Sequence, residues 1–401
     1  MTDLSGKTVV LGVTGGIAVY KAVELLRLLV KAGAEVHAIM TRAATEFVTP
    51  LTFQTLSGNP VSTELFNLYQ EREIGHISLA DRADLLLVAP ATANCIAKVA
   101  AGIADDLLST TIMATKAPVL LAPAMNVNMY QNPLYRDNES RLRQHGYHII
   151  DAESGSLACG WEGSGRLARP ELIFDRACAL LAAGDLRGET ILVTAGPTRE
   201  ELDPVRYLSN HSSGRMGYAL ARAASHRGAQ VILISGPGCL EPPSGVKLVQ
   251  VTSAVQMYEA VMARVGSCSV VIKAAAVADY RPVLRNDRKL KKQGERLVLE
   301  LEKTPDILAA LGKLKQRPLL IGFAAETDNL QTHAAAKLEA KNLDMIVAND
   351  VSQEGAGFNV TTNIARLLYR DGRIEELELM TKDRLADLVL DRIVMLRQNK
   401  G

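Results

Sequence analysis

The feature that most constrains the fold is an apolar run, residues 8–13, that ends in a glycine-rich turn and leads into a helical pattern. Gly15 and Gly16 supply the turn, and residues 19–30 carry apolar side chains at helical spacing. A second apolar run, residues 35–40, follows directly. Two strands joined through a helix form a βαβ crossover, so the chain is predicted to open with a parallel sheet.

The same pattern restarts near the middle of the chain. Residues 190–194 form an apolar run, and residues 195–198 supply its turn. Because 401 residues exceed what one hydrophobic core usually organises, two domains are expected. The sequence therefore predicts an α/β fold with two Rossmann-like doubly wound domains, residues 1–189 and 190–401.

Further apolar runs predict the remaining strands. They are residues 85–89, 119–122 and 147–150 in the first domain and residues 270–275, 319–324 and 345–348 in the second. A helical pattern over residues 384–396 closes the second domain. The charged, Lys-rich segment 281–303 lacks apolar periodicity, and we expect it to form a mobile flap.

Composition excludes several classes of protein. The net charge is +1 and the basic residues are scattered, which favours small-molecule substrates and predicts no nucleic-acid partner. The five cysteines are far apart and form no C-x-x-C pair, so neither a disulfide framework nor a zinc site is expected. No apolar run approaches about 18 residues, which predicts no membrane span. A reducing compartment, the cytoplasm, is the expected location.

The glycine-rich turn after the first strand is a candidate phosphate site. It places free backbone N–H groups and a helix N-terminus at the carboxyl edge of the sheet, where a phosphate binds favourably. The turn departs from G-x-G-x-x-G, and the chain has no G-x-x-x-x-G-K-[ST] motif, so neither a standard dinucleotide site nor a P-loop is predicted. A glycine turn between a strand and a helix is also common for purely structural reasons.

Four segments of the first domain carry a family resemblance. They are Gly75-His76-Ile77, residues 90–94 (PATAN), residues 101–109 (AGIADDLLS) and residues 123–130 (PAMNVNMY). Together they resemble the flavin-dependent cysteine decarboxylases, whose P-x-M-N-x-x-M-W motif is matched except that Tyr130 replaces Trp. The resemblance covers most of residues 6–170. It implies a flavodoxin-like flavoprotein that binds flavin mononucleotide (FMN) and decarboxylates a cysteinyl substrate.

This resemblance assigns catalysis to His76, Asn126 and Cys159. His76 would be the base in substrate thiol oxidation, and Asn126 would donate to the substrate carboxylate. Cys159, in a Gly/Ser-rich loop that clamps the substrate, would supply a proton in the last reduction. Taken alone, His76 is more often a surface or core histidine, and Asn126 an ordinary capping residue. The FMN-binding positions that the resemblance implies are Gly12, Thr14, Gly15, Gly16, Thr41, Pro90, Ala91, Thr92, Asn94, Asp106 and Met125.

Segments of the second domain resemble the phosphopantothenate–cysteine ligases. They are residues 195–200 (AGPTRE), 203–207 (DPVRY), 209–214 (SNHSSG), 274–280 (AAAVADY), 289–292 (KLKK), 305–308 (PDIL), 322–327 (GFAAET) and 348–350 (AND). The resemblance covers nearly all of residues 190–397. It implies that CTP and Mg²⁺ activate the 4′-phosphopantothenate carboxylate as an acyl-cytidylate, from which the cysteine amine displaces CMP.

Within the second domain the resemblance assigns catalysis to Asn210 and Lys289. Lys289 would stabilise negative charge in the first half-reaction, and Asn210 would hold the acyl-cytidylate. Taken alone, a Lys-rich run is usually a solvated face, Asn210 a turn residue and Phe323 a core residue. The implied nucleotide-binding positions are Lys273, Ala274, Ala275, Asp279, Pro305, Asp306, Ile307, Leu308, Phe323, Lys337 and Lys341. No Mg²⁺ ligands are assigned.

Both families in one chain, in this order, resemble the bacterial bifunctional enzymes of coenzyme A biosynthesis. The implied substrates are 4′-phosphopantothenate, L-cysteine and CTP, and the implied assembly is a homo-oligomer with a dodecameric decarboxylase core and ligase dimers. One alternative is a non-catalytic flavin-binding regulatory subunit of the same fold, which retention of all three decarboxylase residues disfavours. Another is a flavoprotein acting on a peptide's C-terminal cysteine, which the attached ligase domain disfavours.

Overall fold

The structure, a computed structural model, describes residues 3–66, 75–156, 160–291, 297–326, 330–350 and 360–398. The chain divides into two compact units between Ala182 and Ala183. Cys159 and residues 292–296 of the predicted flap lie outside the described residues. In the described part of the chain, no helix is both long and apolar enough to cross a membrane.

The N-terminal unit is built on a parallel sheet. Its strands are β1 (Thr8–Val13), β2 (Glu35–Met40), β3 (Leu85–Ala91), β4 (Val119–Pro123) and β5 (His148–Ile149), and β6 (Glu153–Ser156) and β7 (Glu162–Arg166) form a separate antiparallel pair. Its helices are α1 (Val19–Lys31), α2 (Arg42–Thr45), α3 (Pro50–Ser57), α4 (Gly75–Arg82), α5 (Ala93–Ala101), α6 (Leu107–Ala114), α7 (Val127–Gln131), α8 (Pro133–Gln144) and α9 (Pro170–Leu181). The strand order β2-β1-β3-β4-β5 is that of flavodoxin-like folds, which confirms the predicted architecture.

Two apolar layers cover the faces of this sheet. On one face, Leu11 of β1 packs in a cluster with Leu26 of α1 and Phe53 of α3. On the other face, Val10 packs in a cluster with Leu108 of α6. All five side chains are buried. A strand buried on both faces needs apolar residues at successive positions, which is why β1 and β3 are continuous apolar runs in the sequence.

The C-terminal unit contains a larger sheet together with several short strand pairs. Its strands are β8 (Thr190–Ala195), β9 (Arg199–Glu201), β10 (Tyr207–Ser209), β11 (Gln230–Ser235), β12 (Lys247–Gln250), β13 (Val270–Lys273), β14 (Tyr280–Pro282), β15 (Leu301–Lys303), β16 (Leu319–Glu326), β17 (Met345–Asp350), β18 (Thr362–Asn363), β19 (Ala365–Tyr369), β20 (Ile374–Glu376) and β21 (Met380–Thr381). Its helices are α10 (Arg215–His226), α11 (Ala254–Met262), α12 (Ile307–Gly312), α13 (Leu330–Ala340) and α14 (Lys382–Gln398), with a 3₁₀ turn at Val265–Ser267.

The order of the large sheet is β12-β11-β8-β13-β16-β17-β19-β20. The strands from β12 to β17 are parallel, and β19 and β20 are antiparallel to their neighbours. The parallel part has the 3-2-1-4-5-6 order of the Rossmann fold. The predicted second Rossmann-like domain is therefore confirmed, with an antiparallel extension at one edge.

Two small antiparallel pairs follow neighbouring parallel strands at their carboxyl ends. β9 pairs with β10 after β8, and β14 pairs with β15 after β13. The predicted flap, residues 281–303, is therefore ordered strand at both of its ends. The apolar pattern missed these strands because each is only three residues long, and a short ladder of backbone hydrogen bonds needs no alternation of apolar side chains.

Helix α10 approaches β8 closely at Gly217. A Cβ atom added at Gly217 would lie 2.5 Å from the Cβ of Ala195 and 3.0 Å from the carbonyl oxygen of Thr194. Both neighbours are buried in a central strand and cannot move aside easily. The absence of a side chain at Gly217 therefore permits the packing of α10 on the sheet.

We expect Gly217→Ala to destabilise the C-terminal unit by about 1–3 kcal/mol, because the added methyl group overpacks the contact with β8. Gly238→Ala is the matched control, since a Cβ added at Gly238 meets no atom within 4 Å. This control is expected to stay within about 0.5 kcal/mol of wild type. Scanning calorimetry compares the three proteins, and equal melting temperatures for all of them would contradict the close packing.

Candidate active sites

The N-terminal unit has a cavity of about 1060 Å³ at the carboxyl edge of its parallel sheet. Small-molecule sites usually measure roughly 300–1,000 Å³, so this cavity has room for a cofactor together with a substrate. The predicted residues that line it are Thr14, Gly15, Gly16, Thr41, Thr92, Asn94, Asp106, Met125 and Asn126. Gly12, Pro90 and Ala91 lie in β1 and β3 behind this surface and do not line it.

Thr14 and Gly15 fix the turn after β1 against its neighbours. The Thr14 hydroxyl donates to the carbonyl oxygen of Pro90 at 2.7 Å and accepts from the backbone N–H of Thr92 at 3.0 Å. On the other side, a Cβ atom added at Gly15 would lie 2.4 Å from the Cβ of Ala43. The turn is therefore held between α2, which follows β2, and the carboxyl end of β3.

Asp106 places a fixed negative charge on the cavity wall. It is the N-cap of α6, where its carboxylate accepts from the backbone N–H of Ser109 at 2.8 Å. The Lys98 ammonium donates to Asp106 at 2.9 Å and to Asp105 at 2.6 Å. Burial disfavours ionisation of Asp106, but the hydrogen bonds from Ser109 and Lys98 outweigh burial and lower the pKa of the carboxyl group.

The structure brings Asn126 to the cavity but not His76. Asn126 is the N-cap of α7, where its side-chain oxygen accepts from the backbone N–H of Asn128 at 2.9 Å. His76 lies in the first turn of α4 and does not line the cavity of its own chain. Its Nδ1 atom is buried and has no hydrogen-bond partner among the described residues. Cys159 belongs to the segment between β6 and β7 that is not described.

Four cationic residues that the sequence analysis did not single out also line the cavity, namely Lys21, Arg42, Lys98 and Arg166. Lys21, 8% exposed, lies in the first turn of α1 and donates to the carbonyl oxygen of Leu167 at 3.1 Å. Burial and the positive charge of Arg166 lower the pKa of Lys21. Lys21 precedes Leu25 by one helical turn, so it falls on the buried face of α1. A lysine at a helix position predicted to face the core is the sequence signal that could have identified Lys21 as a site residue.

The residues of this cavity fit a flavin nucleotide. The backbone N–H groups of Gly15 and Gly16 donate no hydrogen bond to another described residue, and they lie just before the N-terminus of α1. A helix N-terminus favours an anion, and the Lys21 ammonium adds positive charge. Leu108 and Met125 contribute apolar wall. The turn can therefore hold a phosphate while the apolar walls enclose an aromatic ring.

In the C-terminal unit, charged residues gather around Lys273 at the carboxyl end of β13. The ammonium groups of Lys337 and Lys341 and the carboxylates of Asp279 and Asp306 all act on Lys273 electrostatically. Lys341 also forms a hydrogen-bonded ion pair with Asp306. Burial and the charge of Lys337 lower the pKa of Lys273 to about 8. The structure thus unites three predicted nucleotide-binding lysines in one cluster.

Asn210 joins the end of β10 to the loop after β13. Its side-chain amide donates to the carbonyl oxygens of Ala276 at 3.2 Å and Val277 at 3.0 Å. The backbone N–H of Ala276 in turn donates to the carbonyl oxygen of Gly196 at 2.9 Å. Asn210 is exposed and is therefore accessible beside the loop that carries Ala274.

Other predicted nucleotide-binding residues differ in exposure. The side chains of Ala275, Ile307 and Leu308 are buried in the core, so only their backbone atoms can contact a nucleotide. The partly buried residues are Ala274, Pro305 and Phe323. Asp306 begins α12 as its N-cap and accepts from the backbone N–H of Ala309 at 2.9 Å.

Lys289 is exposed on a segment that is attached to the β9–β10 hairpin. The backbone N–H of Leu290 donates to Asp203 at 3.1 Å, and that of Asn286 donates to the carbonyl oxygen of Leu202 at 3.0 Å. Within the described residues, Lys289 itself makes no hydrogen bond or ion pair. Its ammonium group is therefore available to a ligand.

The described residues contain no group of three or more His, Cys, Asp or Glu side chains that could hold a metal ion. Mg²⁺ is commonly bound through one or two carboxylates together with the phosphates of a substrate, so it needs no such cluster. Asp279 and Asp306 are the carboxylates near Lys273.

Comparisons with known proteins match both units. The flavoprotein family model matches residues 1–182, and the model of the DNA/pantothenate metabolism flavoprotein C-terminal domain matches residues 186–396. The coenzyme A biosynthesis bifunctional protein CoaBC of Bacillus subtilis is 50% identical over 402 residues, with 99% of each chain covered. The Escherichia coli protein of that name is 49% identical, with 98% of each chain covered.

A crystal structure of the C-terminal domain of a coenzyme A biosynthesis bifunctional protein CoaBC has 47% sequence identity and a TM-score of 0.48, and it covers 54% of this chain and 100% of its own. The family assignment depends on the domain matches and on the relatives of nearly equal length. Because both domains and almost the whole length agree, this chain belongs to the family of bifunctional coenzyme A biosynthesis proteins.

Proposed function

We propose that residues 190–401 join 4′-phosphopantothenate to L-cysteine with CTP, and that residues 1–189 decarboxylate the product to 4′-phosphopantetheine with FMN. Family membership supports ligase and decarboxylase activities in one chain. The lysine cluster around Lys273 carries the nucleotide part of the proposal, because three ammonium groups beside one strand end suit a triphosphate. Mg²⁺, held by the phosphates and one or two carboxylates, completes the proposed ligase site.

In the ligase reaction, a carboxylate oxygen of 4′-phosphopantothenate attacks the α-phosphorus of CTP. The acyl-cytidylate forms and pyrophosphate leaves; the cysteine amine then displaces CMP and forms the amide. Lys289, an exposed ammonium on a flexible stem, stabilises the charge on the departing pyrophosphate. Asn210 is uncharged and lies beside the loop after β13, which suits it to orient the acyl-cytidylate for amine attack.

In the decarboxylase, bound FMN supplies reversible two-electron chemistry, so that the oxidation preceding CO₂ loss and the final reduction balance. Asn126 donates a hydrogen bond to the substrate carboxylate from the cavity wall, and the backbone of Gly15 and Gly16 holds the FMN phosphate. His76 acts as a base only within hydrogen-bond reach of the substrate thiol. Since His76 does not line its own chain's cavity, we propose that it acts in the cavity of a second copy.

That role for His76 agrees with the proposed dodecameric homo-oligomer. The role of Cys159 as the proton donor of the final reduction and the cytoplasmic location stay predictions from the sequence.

Separate measurement of the two ligase half-reactions distinguishes the role of Lys289 from that of Asn210. With CTP and 4′-phosphopantothenate but no cysteine, wild type is expected to release pyrophosphate and accumulate the acyl-cytidylate. Lys289→Gln should lose pyrophosphate release, because the charge of the leaving group is no longer offset. Asn210→Asp should form the intermediate but transfer it poorly to cysteine. Quenched reactions analysed by mass spectrometry measure both steps.

Lys291→Gln is the control for Lys289→Gln, because it removes an exposed positive charge from the same segment. It is expected to keep pyrophosphate release close to wild type. Acyl-cytidylate in Lys289→Gln, or none in a folded Asn210→Asp, would contradict the proposed division of roles.

The lowered pKa of Lys273 predicts that nucleotide binding depends on pH. A pKa of about 8 means that the ammonium form predominates at pH 7 and the neutral amine at pH 9. If the triphosphate binds only the ammonium form, CTP affinity falls roughly tenfold between these pH values. Lys273→Arg should remove this inflection, because guanidinium stays protonated. Calorimetric titration with CTP at each pH is the measurement, and an inflection that persists in Lys273→Arg would assign it to another group.

A further inference from the structure

The turn of the β9–β10 hairpin contains a carboxylate that the proposed ligase mechanism does not use. The side chain of Asp203 has no solvent exposure. One carboxylate oxygen accepts from the backbone N–H groups of Val205 and Arg206, both at 2.9 Å. These bonds form the turn itself. They occupy only one of the two oxygens of Asp203.

The second oxygen of Asp203 binds the segment that carries Lys289. It accepts from the backbone N–H of Leu290 at 3.1 Å and from the Arg206 guanidinium at 3.0 and 2.6 Å. The same guanidinium donates to the carbonyl oxygen of Leu290 at 3.1 Å. Both polar backbone atoms of Leu290, the residue after Lys289, are therefore held by the Asp203–Arg206 pair.

Further contacts attach the same segment upstream of Lys289. The backbone N–H of Asn286 donates to the carbonyl oxygen of Leu202, and Arg285 forms an ion pair with Glu201. Lys289 therefore lies between two attachment points. The adjacent one is Leu290, which the buried carboxylate of Asp203 holds, and the other is upstream, at Arg285 and Asn286. The Arg285–Glu201 pair is exposed, and exposed ion pairs contribute little.

Asp203 stays ionised throughout the pH range of an enzyme assay. The hydrogen bonds from Arg206 hold the pKa of this carboxyl group well below its usual range. A buried carboxylate is stable only when its oxygens are fully hydrogen-bonded, so loss of one partner disturbs the others. The carboxylate is thus a constant, directional anchor for the backbone of Leu290.

We infer that Asp203 is a positioning residue of the first ligase half-reaction, holding the Leu290 backbone so that the Lys289 ammonium meets the departing pyrophosphate. This inference rests on the proposed role of Lys289. A lysine side chain has four rotatable bonds, so its ammonium group is confined to one region only if the backbone that carries it is fixed. Asn210, attached to the other end of the same hairpin, is not expected to depend on this anchor.

Asp203→Asn tests the inference, because an amide nitrogen cannot accept a hydrogen bond. The variant therefore loses either the bonds from Leu290 and the Arg206 guanidinium or the bonds that form the turn below them. With saturating CTP and no cysteine, single-turnover pyrophosphate release should fall about a hundredfold, the cost expected of a small misplacement of a reacting group. The dissociation constant of CTP, measured calorimetrically, should change less than threefold. Glu201→Gln, which removes the exposed upstream ion pair, is the matched control and should release pyrophosphate at about the wild-type rate.

A double variant distinguishes positioning from a general structural role. If Asp203 acts through Lys289, then Asp203→Asn should not slow the residual pyrophosphate release of Lys289→Gln any further. An equal hundredfold loss in that background, a normal rate in Asp203→Asn alone, or loss of CTP binding would overturn the inference. Normal pyrophosphate release by Lys289→Gln would instead overturn the proposed function of Lys289, so the two failures are distinguishable.

Discussion

The carboxyl edge of a parallel sheet is the constraint on which both units depend. Parallel strands end together at this edge, and the turns after them bring groups from distant parts of the chain side by side. In the N-terminal unit these turns enclose the cavity between Gly15 and Asn126. In the C-terminal unit they bring Lys273 of β13 near Asp306, the N-cap of α12. One chain thus carries a flavoprotein site and a ligase site on two separate sheets.

The β9–β10 hairpin connects two other segments of the proposed ligase site through hydrogen bonds. At its tip, Asp203 and Arg206 hold the backbone of Leu290, and at its end Asn210 holds the loop at Ala276 and Val277. The residues proposed for the two half-reactions are therefore attached to one small antiparallel element. Because that element is short and its buried side chains include the polar Glu200 and Asp203, its geometry depends on polar contacts more than on apolar packing.

Much of the fold was predictable because short apolar runs and turn motifs in the sequence indicate strands and the turns that follow them. Apolar runs located β1, β2 and β8, and the turn motifs located Thr14 and Gly16. Lys21 and Asp203 were not assigned roles, since their partners Leu167 and Leu290 lie 146 and 87 residues away in the chain. No local pattern encodes such contacts. Conversely, motif matching alone did not distinguish Ile307 and Leu308, whose side chains belong to the core, from residues that face a ligand.

If one chain carries out two consecutive reactions at independent sites, variants that each lack one activity should complement each other. The most direct measurement mixes purified His76→Asn and Lys289→Gln proteins with 4′-phosphopantothenate, cysteine and CTP. Neither variant alone should form 4′-phosphopantetheine. Together they should form it after a lag, because intact ligase sites release 4′-phosphopantothenoylcysteine to intact decarboxylase sites. A mixture that forms none, although each variant keeps its remaining activity, would contradict the account.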